Sequence, residues 1–376
     1  MITLIVNNNK VKLEGPLRDL DALREEFKVR NPNAFWVRGY MPRGWDGYMR
    51  YISEAGYFST GFLPHVIGLI KKAGYKFEIK DTRGEETPGI VGKGIGNKIY
   101  FDHQREAIKA IVNNEVEGIS FMRGIINAAV NAGKTLMILG IYKAFKDKKA
   151  LVVLNNSQLY NQFLKELPEY LGNEMGYMQG KKVKIGKITI VMAQTLVINI
   201  NKYKQYLANV DMVFVDECHL STSKTYKTIL NNLFNTTIRV GLSGTPLMHK
   251  DKTKNQTIKS FFGEVVYEIK SLELMEKGIS TPIIIKIAIG NAIFSQGEGY
   301  PAEYNKCITN NPDRTRKSID RTRWNINKGR LPVLIITQSI EHTENLYKAY
   351  LTSFGSKYKV AYIHHKIKDR ERILDE

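Results

Sequence analysis

The sequence predicts an α/β fold: a parallel sheet covered on both faces by helices, preceded by a small α+β module. Three observations predict it. Beyond residue 101, short wholly apolar runs alternate with helix-like stretches, the pattern of strands buried on both faces. Before residue 83, apolar residues alternate with others (Ile2, Leu4, Val6, then Val11 and Leu13), as in strands with one wet face. Between the two parts, residues 84–98 (GEETPGIVGKGIGNK) are rich in glycine and have no period, which is a linker composition.

In the first module, residues 17–29 place Leu20, Leu23 and Phe27 on one helical face. Residues 35–38 and 43–48 are strand-like. Trp36, Arg38, Tyr40, Arg43, Trp45, Tyr48 and Arg50 interleave there. Such a run is either a nucleic-acid face, with aromatics stacking and arginines on phosphates, or a hairpin whose aromatics pack on the helices. An amphipathic helix over 63–73 and a strand over 75–79 complete the module. The G-x-G-x-G of the linker is no dinucleotide fingerprint, because no strand leads into it; it is a hinge or a surface loop.

In the second part, strands are expected at 124–126, 151–154, 188–192, 212–215 and 240–242, and later at 333–336 and 360–363. A chain of 376 residues can hold two or three domains, each with its own core.

Composition narrows the function. Lys and Arg number 56 against 37 Asp and Glu, a net charge of +19. That surplus predicts salt-sensitive binding to nucleic acid, although an acidic protein partner or a merely basic surface has the same signature. Two cysteines, Cys218 and Cys307, are too few for a disulfide framework and form no metal-ligand cluster. The N-terminus carries no basic leader with a cleavage site, and the longest apolar runs are too short to span a bilayer. A cytoplasmic protein without membrane contact is expected.

The chemistry centres on Asn127-Ala-Ala-Val-Asn-Ala-Gly-Lys-Thr135, with a strand leading in and a helix leading out. Backbone N–H groups at such a junction point at a phosphate, and the helix dipole adds to them. Within it, Asn131, Ala132 and Gly133 line the nucleotide. Lys134 reaches the β- and γ-phosphates, and the Thr135 hydroxyl takes Mg²⁺. Asp216-Glu217-Cys218-His219 follows the apolar strand at 212–215, at the edge where ligands bind in α/β sheets. Asp216 is placed to hold Mg²⁺ through its water shell and Glu217 to polarise the attacking water, with His219 linking that site to its neighbour. Cys218 reads as a packing residue. Ser243, Gly244 and Thr245 end another buried strand, where small hydroxyls can couple the nucleotide site to a nucleic-acid path. Upstream, His103 and Gln104 open a helix. A glutamine amide there can pair with the adenine edge, and Phe101 can stack on the base.

In this order the segments resemble the motifs of the superfamily 2 helicases, and within them the phage recombination and branch-migration helicases. His103-Gln104 resembles the Q motif, 128–135 motif I, 216–219 a DEAH-type motif II and 243–245 motif III. The likeness extends to Trp45-Asp46-Gly47, to Gly241-Leu-Ser-Gly244 and to Phe262-Gly263-Glu264. It implies a DNA-binding module over 1–83, a linker over 84–98, a RecA-like domain with the ATP site over 99–285 and the start of a second RecA-like domain over 286–376. Asn155, Gln158 and Gln162 fall where motif Ia contacts the tracking strand, and Gln194 and Thr195 resemble motif Ib. The implied activity is ATP-driven translocation on single-stranded and branched duplex DNA during recombination and repair.

The sequence departs from the pattern in two places. Ala128 and Asn131 stand in motif I where many relatives have glycine or small residues. Motifs V and VI, with the arginines that stabilise γ-phosphate charge, are absent by Glu376, and Arg370 and Arg372 do not replace them. Loss of an arginine finger costs roughly 10³-fold or more. The basic run from His249 to Lys259, with Lys250 and Lys252, is either a DNA-contacting loop or a solvated one. Two other readings share the motor residues: an RNA helicase or non-unwinding translocase, and a catalytically silent scaffold that binds ATP and nucleic acid.

Overall fold

The alternation at the N-terminus sorts into one buried face. Ile2, Leu4 and Val6 of β1 (Ile2–Val6) and Val11 and Leu13 of β2 (Lys10–Glu14) all lie in one core. This computed structural model describes all residues except 38–43, 85–86, 146, 283–298, 365 and 368–376. The described residues divide into two compact units, Met1–Pro282 and Ile283–Glu376.

The first unit opens with α1 (Leu17–Glu26), which leads into a short hairpin of β3 (Lys28–Arg30) and β4 (Tyr48–Arg50). After β5 (Tyr57–Ser59), α2 (Leu63–Lys72) and β6 (Phe77–Asp81), a sheet closes in the order β5-β2-β1-β6. Residues 35–37, expected as strand, differ: Ala34–Trp36 forms a 3-10 turn, with Phe35 and Trp36 75% and 83% exposed. Asn31 and Asn33 start that turn locally, and asparagines flanking Pro32 favour a turn over a ladder.

The second part of the unit is the α/β layer. Its strands are β7 (Arg123–Ala128), β8 (Ala150–Leu154), β9 (Met175–Gln179), β10 (Lys182–Lys184), β11 (Ile188–Met192), β12 (Met212–Asp216), β13 (Ile238–Ser243) and β14 (Val265–Ile269). They lie in the order β10-β9-β11-β8-β12-β13-β7-β14, parallel throughout except for the β9–β10 pair. The wholly apolar strands follow from burial on both faces. In β8, Ala150, Val152 and Leu154 enter one core while Leu151 and Val153 enter the other.

The linker segment is strapped down rather than free. Gly94–Ile95 pairs with Lys98–Ile99, the Gly89 N–H donates to the Ala144 carbonyl at 2.7 Å, and Ile95 is buried. The two parts of the unit are also joined directly. Phe121 enters the N-terminal core. Gly61 lets a 3-10 turn approach the helix α8 (Lys252–Phe262) so closely that an added Cβ would stand 2.2 Å from the Lys259 carbonyl oxygen. That helix corrects the basic loop expected over 249–259. Asp251 caps it by accepting from the Thr253 N–H at 2.9 Å, and Ile258 and Phe262 are fully buried. A capping carboxylate and two apolar residues four apart outweigh the lysines between them.

In the second unit, α9 (Pro312–Asn327) packs on α10 (Ile340–Phe354) through Ile319 and Ile326 against Leu346, Tyr350 and Phe354. The Tyr350 hydroxyl meets those of Ser318 and Thr322 at 2.8 and 2.9 Å. Residues 333–336 and 360–363, expected as strands, carry no strand pairing, and Leu334 and Ile336 are more than four-fifths exposed. A strand gains its hydrogen bonds from neighbours, and none flanks these segments among the described residues.

Candidate functional site

The acting side chains stand at the C-terminal ends of three adjacent strands, β7, β13 and β12. The register sets Asn127 beside Ser243 and Asp216 beside Leu242, so motifs distant in sequence share one edge. Beyond β7 the loop turns through Asn131 and Gly133, both at positive φ (69° and 79°), into α4 (Lys134–Lys143). No side chain caps that helix, and while the Leu136 N–H bonds the Gly133 carbonyl, the N–H groups of Lys134 and Thr135 are available to phosphate oxygens. Ala132 is fully buried, and its carbonyl receives both His103 Nε2 at 2.9 Å and the Gln104 amide at 3.1 Å. The Gln104 carbonyl in turn accepts from the Phe101 N–H at 3.1 Å. The amide expected to meet an adenine edge is thus engaged with backbone at both ends, bracing the loop. Gly133 is required by this bracing, because a Cβ there would stand 2.1 Å from Gln104 Nε2. Phe101 is half exposed and stacks on His103 at 5.7 Å.

Asp216 is buried at the end of β12, and burial pushes its carboxyl above the usual range, with Lys134 opposing that shift. Glu217 turns away at a left-handed φ of 50° and is half exposed. Lys134 Nζ lies 3.9 Å from Glu217 Oε1. Ser243 links the remaining parts. Its hydroxyl donates to Glu217 Oε2 at 3.1 Å, accepts from the Thr245 N–H at 3.1 Å and meets His219 Nδ1 at 3.1 Å. One donor and two acceptor sites exhaust a hydroxyl. His219 Nδ1 also lies 3.2 Å from Glu217 Oε2, and its carbonyl meets His249 Nε2 at 3.2 Å. Gly244 brings this turn against the loop, where a Cβ would be 3.5 Å from the Ala128 carbonyl oxygen. Cys218 is buried and its thiol is pushed up by burial, as suits a packing residue.

The donors suit a nucleotide with a hard cation. Asp216 and Thr135 offer one carboxylate and one hydroxyl, both oxygen ligands of the kind Mg²⁺ takes, leaving its other positions to phosphate and water.

The sequence matches known proteins over this region. Residues 97–248 match the family described as Type III restriction enzyme, res subunit. The ATP-dependent DNA helicase UvsW of Enterobacteria phage T4 is 25% identical over 305 residues, which are 74% of this chain and 57% of that protein. The chain is thus similar in sequence to a DNA helicase. Putative helicase 22 of Sulfolobus islandicus filamentous virus (isolate Iceland/Hveragerdi) is 27% identical over 179 residues, 43% of this chain and 30% of its own length. The chain therefore spans little more than half of the first relative and less than a third of the second. The fold agrees. One crystal structure of UvsW from bacteriophage T4 has a TM-score of 0.57 at 20% identity, covering 70% of this chain and 98% of that one. Another of T4 UvsW has a TM-score of 0.58 at 17% identity, covering 99% and 76%.

The residues expected to meet nucleic acid are distributed over the first unit. Asn155 and Gln194 follow the neighbouring strands β8 and β11, and the Gln194 amide donates to Asn155 Oδ1 at 3.0 Å. Gln194 and Thr195 begin the short helix Ala193–Ile198 rather than end a strand, and Thr195 Oγ1 accepts from the Gly180 N–H at 3.4 Å. Gln158 and Gln162 are exposed on α5 (Ser157–Glu166), where Gln162 donates to Glu166 at 2.9 Å. Trp45 is half buried with its indole N–H on the Tyr48 carbonyl at 2.9 Å, and Arg50 is held by Glu25 and Asp46. Arg43, with Arg38 and Tyr40, lies outside the described residues. Lys250 is exposed just before α8, and Lys252 is exposed at its first position.

Sequence reasoning missed two contributors. Asn127 donates its amide to Glu268 of β14 at 2.5 Å, beside the phosphate loop. The Ala132 carbonyl is the shared acceptor that ties the Q-motif residues to that loop. Neither has a sequence signal, since one depends on strand order and the other on a backbone atom.

Proposed function

We propose that this chain carries the nucleotide site of an ATP-driven motor that moves on DNA and remodels branched recombination or stalled-fork intermediates. The observation that supports this reading most is the convergence of Lys134, Asp216, Glu217 and Ser243 at adjacent strand ends. Each has a part in phosphoryl transfer to water. The loop N–H groups and Lys134 hold the phosphates and offset their charge. Asp216 and Thr135 would hold Mg²⁺, which would supply charge neutralisation to the phosphates. Glu217 orients the attacking water and draws its proton. That carboxylate is shared between Lys134 and the Ser243 hydroxyl. Nucleotide phosphates competing for Lys134 would loosen one tie, while Ser243 and His219 carry the change to the Thr245 turn.

The named relative is an ATP-dependent DNA helicase, which favours DNA over RNA. In this reading residues 1–83 are a DNA-binding module, 84–98 a linker, 99–285 the ATP-binding RecA-like domain and 286–376 the start of a second RecA-like domain. Dissociation of a labelled four-way DNA junction, compared with linear duplex and matched RNA duplex in the presence of ATP and Mg²⁺, tests the proposal. Junction-preferring dissociation supports it; dissociation of RNA alone rejects it.

A further inference from the structure

Helix α9 has three bands at 100° per residue. Its inner band, Thr315, Ile319, Thr322 and Ile326, includes the residues that pack on α10 and bond Tyr350. A flanking band holds Asp313, Arg316, Asp320 and Arg323, which neutralise one another through ion pairs of 2.6 Å (Arg316–Asp313) and 3.0 Å (Arg323–Asp320). The band opposite the core holds Arg314, Lys317, Arg321, Trp324 and Lys328, spaced three and four apart. Arg321 lies over the Trp324 ring at 4.0 Å, and Arg330, just past the helix, lies over the same ring at 5.0 Å.

Among the described residues, only Lys317 of these cations has a carboxylate, that of Asp313 at 2.9 Å. Arg314, Arg321, Lys328 and Arg330 are exposed and form no ion pair among the described residues. Both carboxylates of the helix are already committed to its own basic side chains. Two guanidiniums gathered on one indole repel each other, and that repulsion is relieved when an anion settles between them. A row of cations running about 20 Å along one face, set around an aromatic ring, matches a repeating phosphate chain.

We propose that the outer face of α9, centred on Arg321, Trp324 and Arg330, binds the phosphate backbone of DNA. This rests on the DNA-motor reading and extends it to the second unit. Contact is to phosphate and sugar, so it is indifferent to base sequence.

The test is the salt dependence of binding to a short fluorescein-labelled DNA duplex, followed by anisotropy for the wild-type chain and for Arg321→Ala/Arg330→Ala. Losing two phosphate contacts is expected to flatten the slope of log Kobs against log salt by about 1.8, while Arg321→Lys/Arg330→Lys keeps the wild-type slope. Circular dichroism of each variant separates lost contact from lost folding. As a second readout, a Trp36→Phe/Trp45→Phe chain keeps Trp324 as its one tryptophan, and its emission is expected to change on DNA addition. An unchanged slope in a folded alanine variant that still binds DNA, with unchanged Trp324 emission, overturns this proposal and leaves the motor reading standing. No DNA binding by the wild-type chain overturns both.

Discussion

Arg123 and Arg239 stand side by side in the register of adjacent parallel strands, both all but fully buried and neither in an ion pair among the described residues. Burial, then the neighbouring Arg239 and Arg83, holds the Arg123 guanidinium well below its usual range, and burial brings Arg239 down to about 10. Their partners are carbonyls and an amide. Arg239 donates to the Leu233 and Leu230 carbonyls at 2.5 and 3.3 Å and to the Asn9 side chain, while Arg123 donates to the Asn8 carbonyl. The turn between β1 and β2 therefore supplies bonding partners to both arginines of the eight-stranded sheet, so the N-terminal module contributes to that sheet's stability.

Replacing Asn9 should show this. Asn9→Leu removes an acceptor from a buried guanidinium and is expected to cost about 1–3 kcal/mol. Urea unfolding should show a lowered midpoint with one transition for residues 1–282. A separate early transition of the N-terminal module would contradict the shared bonding.

Asp216 is expected to oppose folding at neutral pH. Its folded-state carboxyl is raised by burial, so the folded form binds the proton more tightly than the unfolded form. Stability is full below the ordinary carboxylate range and falls as pH rises through the raised value. Asp216→Asn should then stabilise the nucleotide-free protein by about 1 kcal/mol at pH 7. That gain should disappear in acid, as thermal melting at both pH values would reveal.

Ser243→Ala removes the hydroxyl shared by Glu217, His219 and the Thr245 amide. Hydrogen bonds to charged groups are worth about 1.5–3 kcal/mol, so kcat for ATP should fall roughly 10- to 100-fold. Because Lys134 and the loop amides are untouched, KM should change little. Steady-state kinetics that raise KM at constant kcat would place Ser243 in nucleotide binding instead.

Gln104→Leu separates a brace from a base reader. If the amide supports the loop through Ala132, activities with ATP and GTP fall by the same factor. A loss confined to ATP would show that the amide turns to the adenine edge.

Much of this was legible in the sequence because its physics is local. The apolar runs at 151–154 and 212–215 could only be strands buried on two faces, and the acidic pair after the second had to emerge at a ligand-binding edge. Three features were not legible. The opposition of Arg123 and Arg239 depends on the register of two strands more than a hundred residues apart. The lysines at 250–259 masked a helix whose signal was Asp251 and two apolar residues. The apolar run at 333–336 has strand composition, but composition does not supply a pairing neighbour.

Lys134, Asp216 and Glu217 are proposed to form one ATPase centre driven by DNA. Steady-state ATP hydrolysis with and without single-stranded and branched DNA, for the wild-type chain, Lys134→Ala and Glu217→Gln, tests it most directly. DNA-stimulated turnover is expected in the wild type and lost in both variants, with Glu217→Gln still binding ATP. Turnover that persists in Glu217→Gln, or wild-type hydrolysis indifferent to DNA, would contradict it.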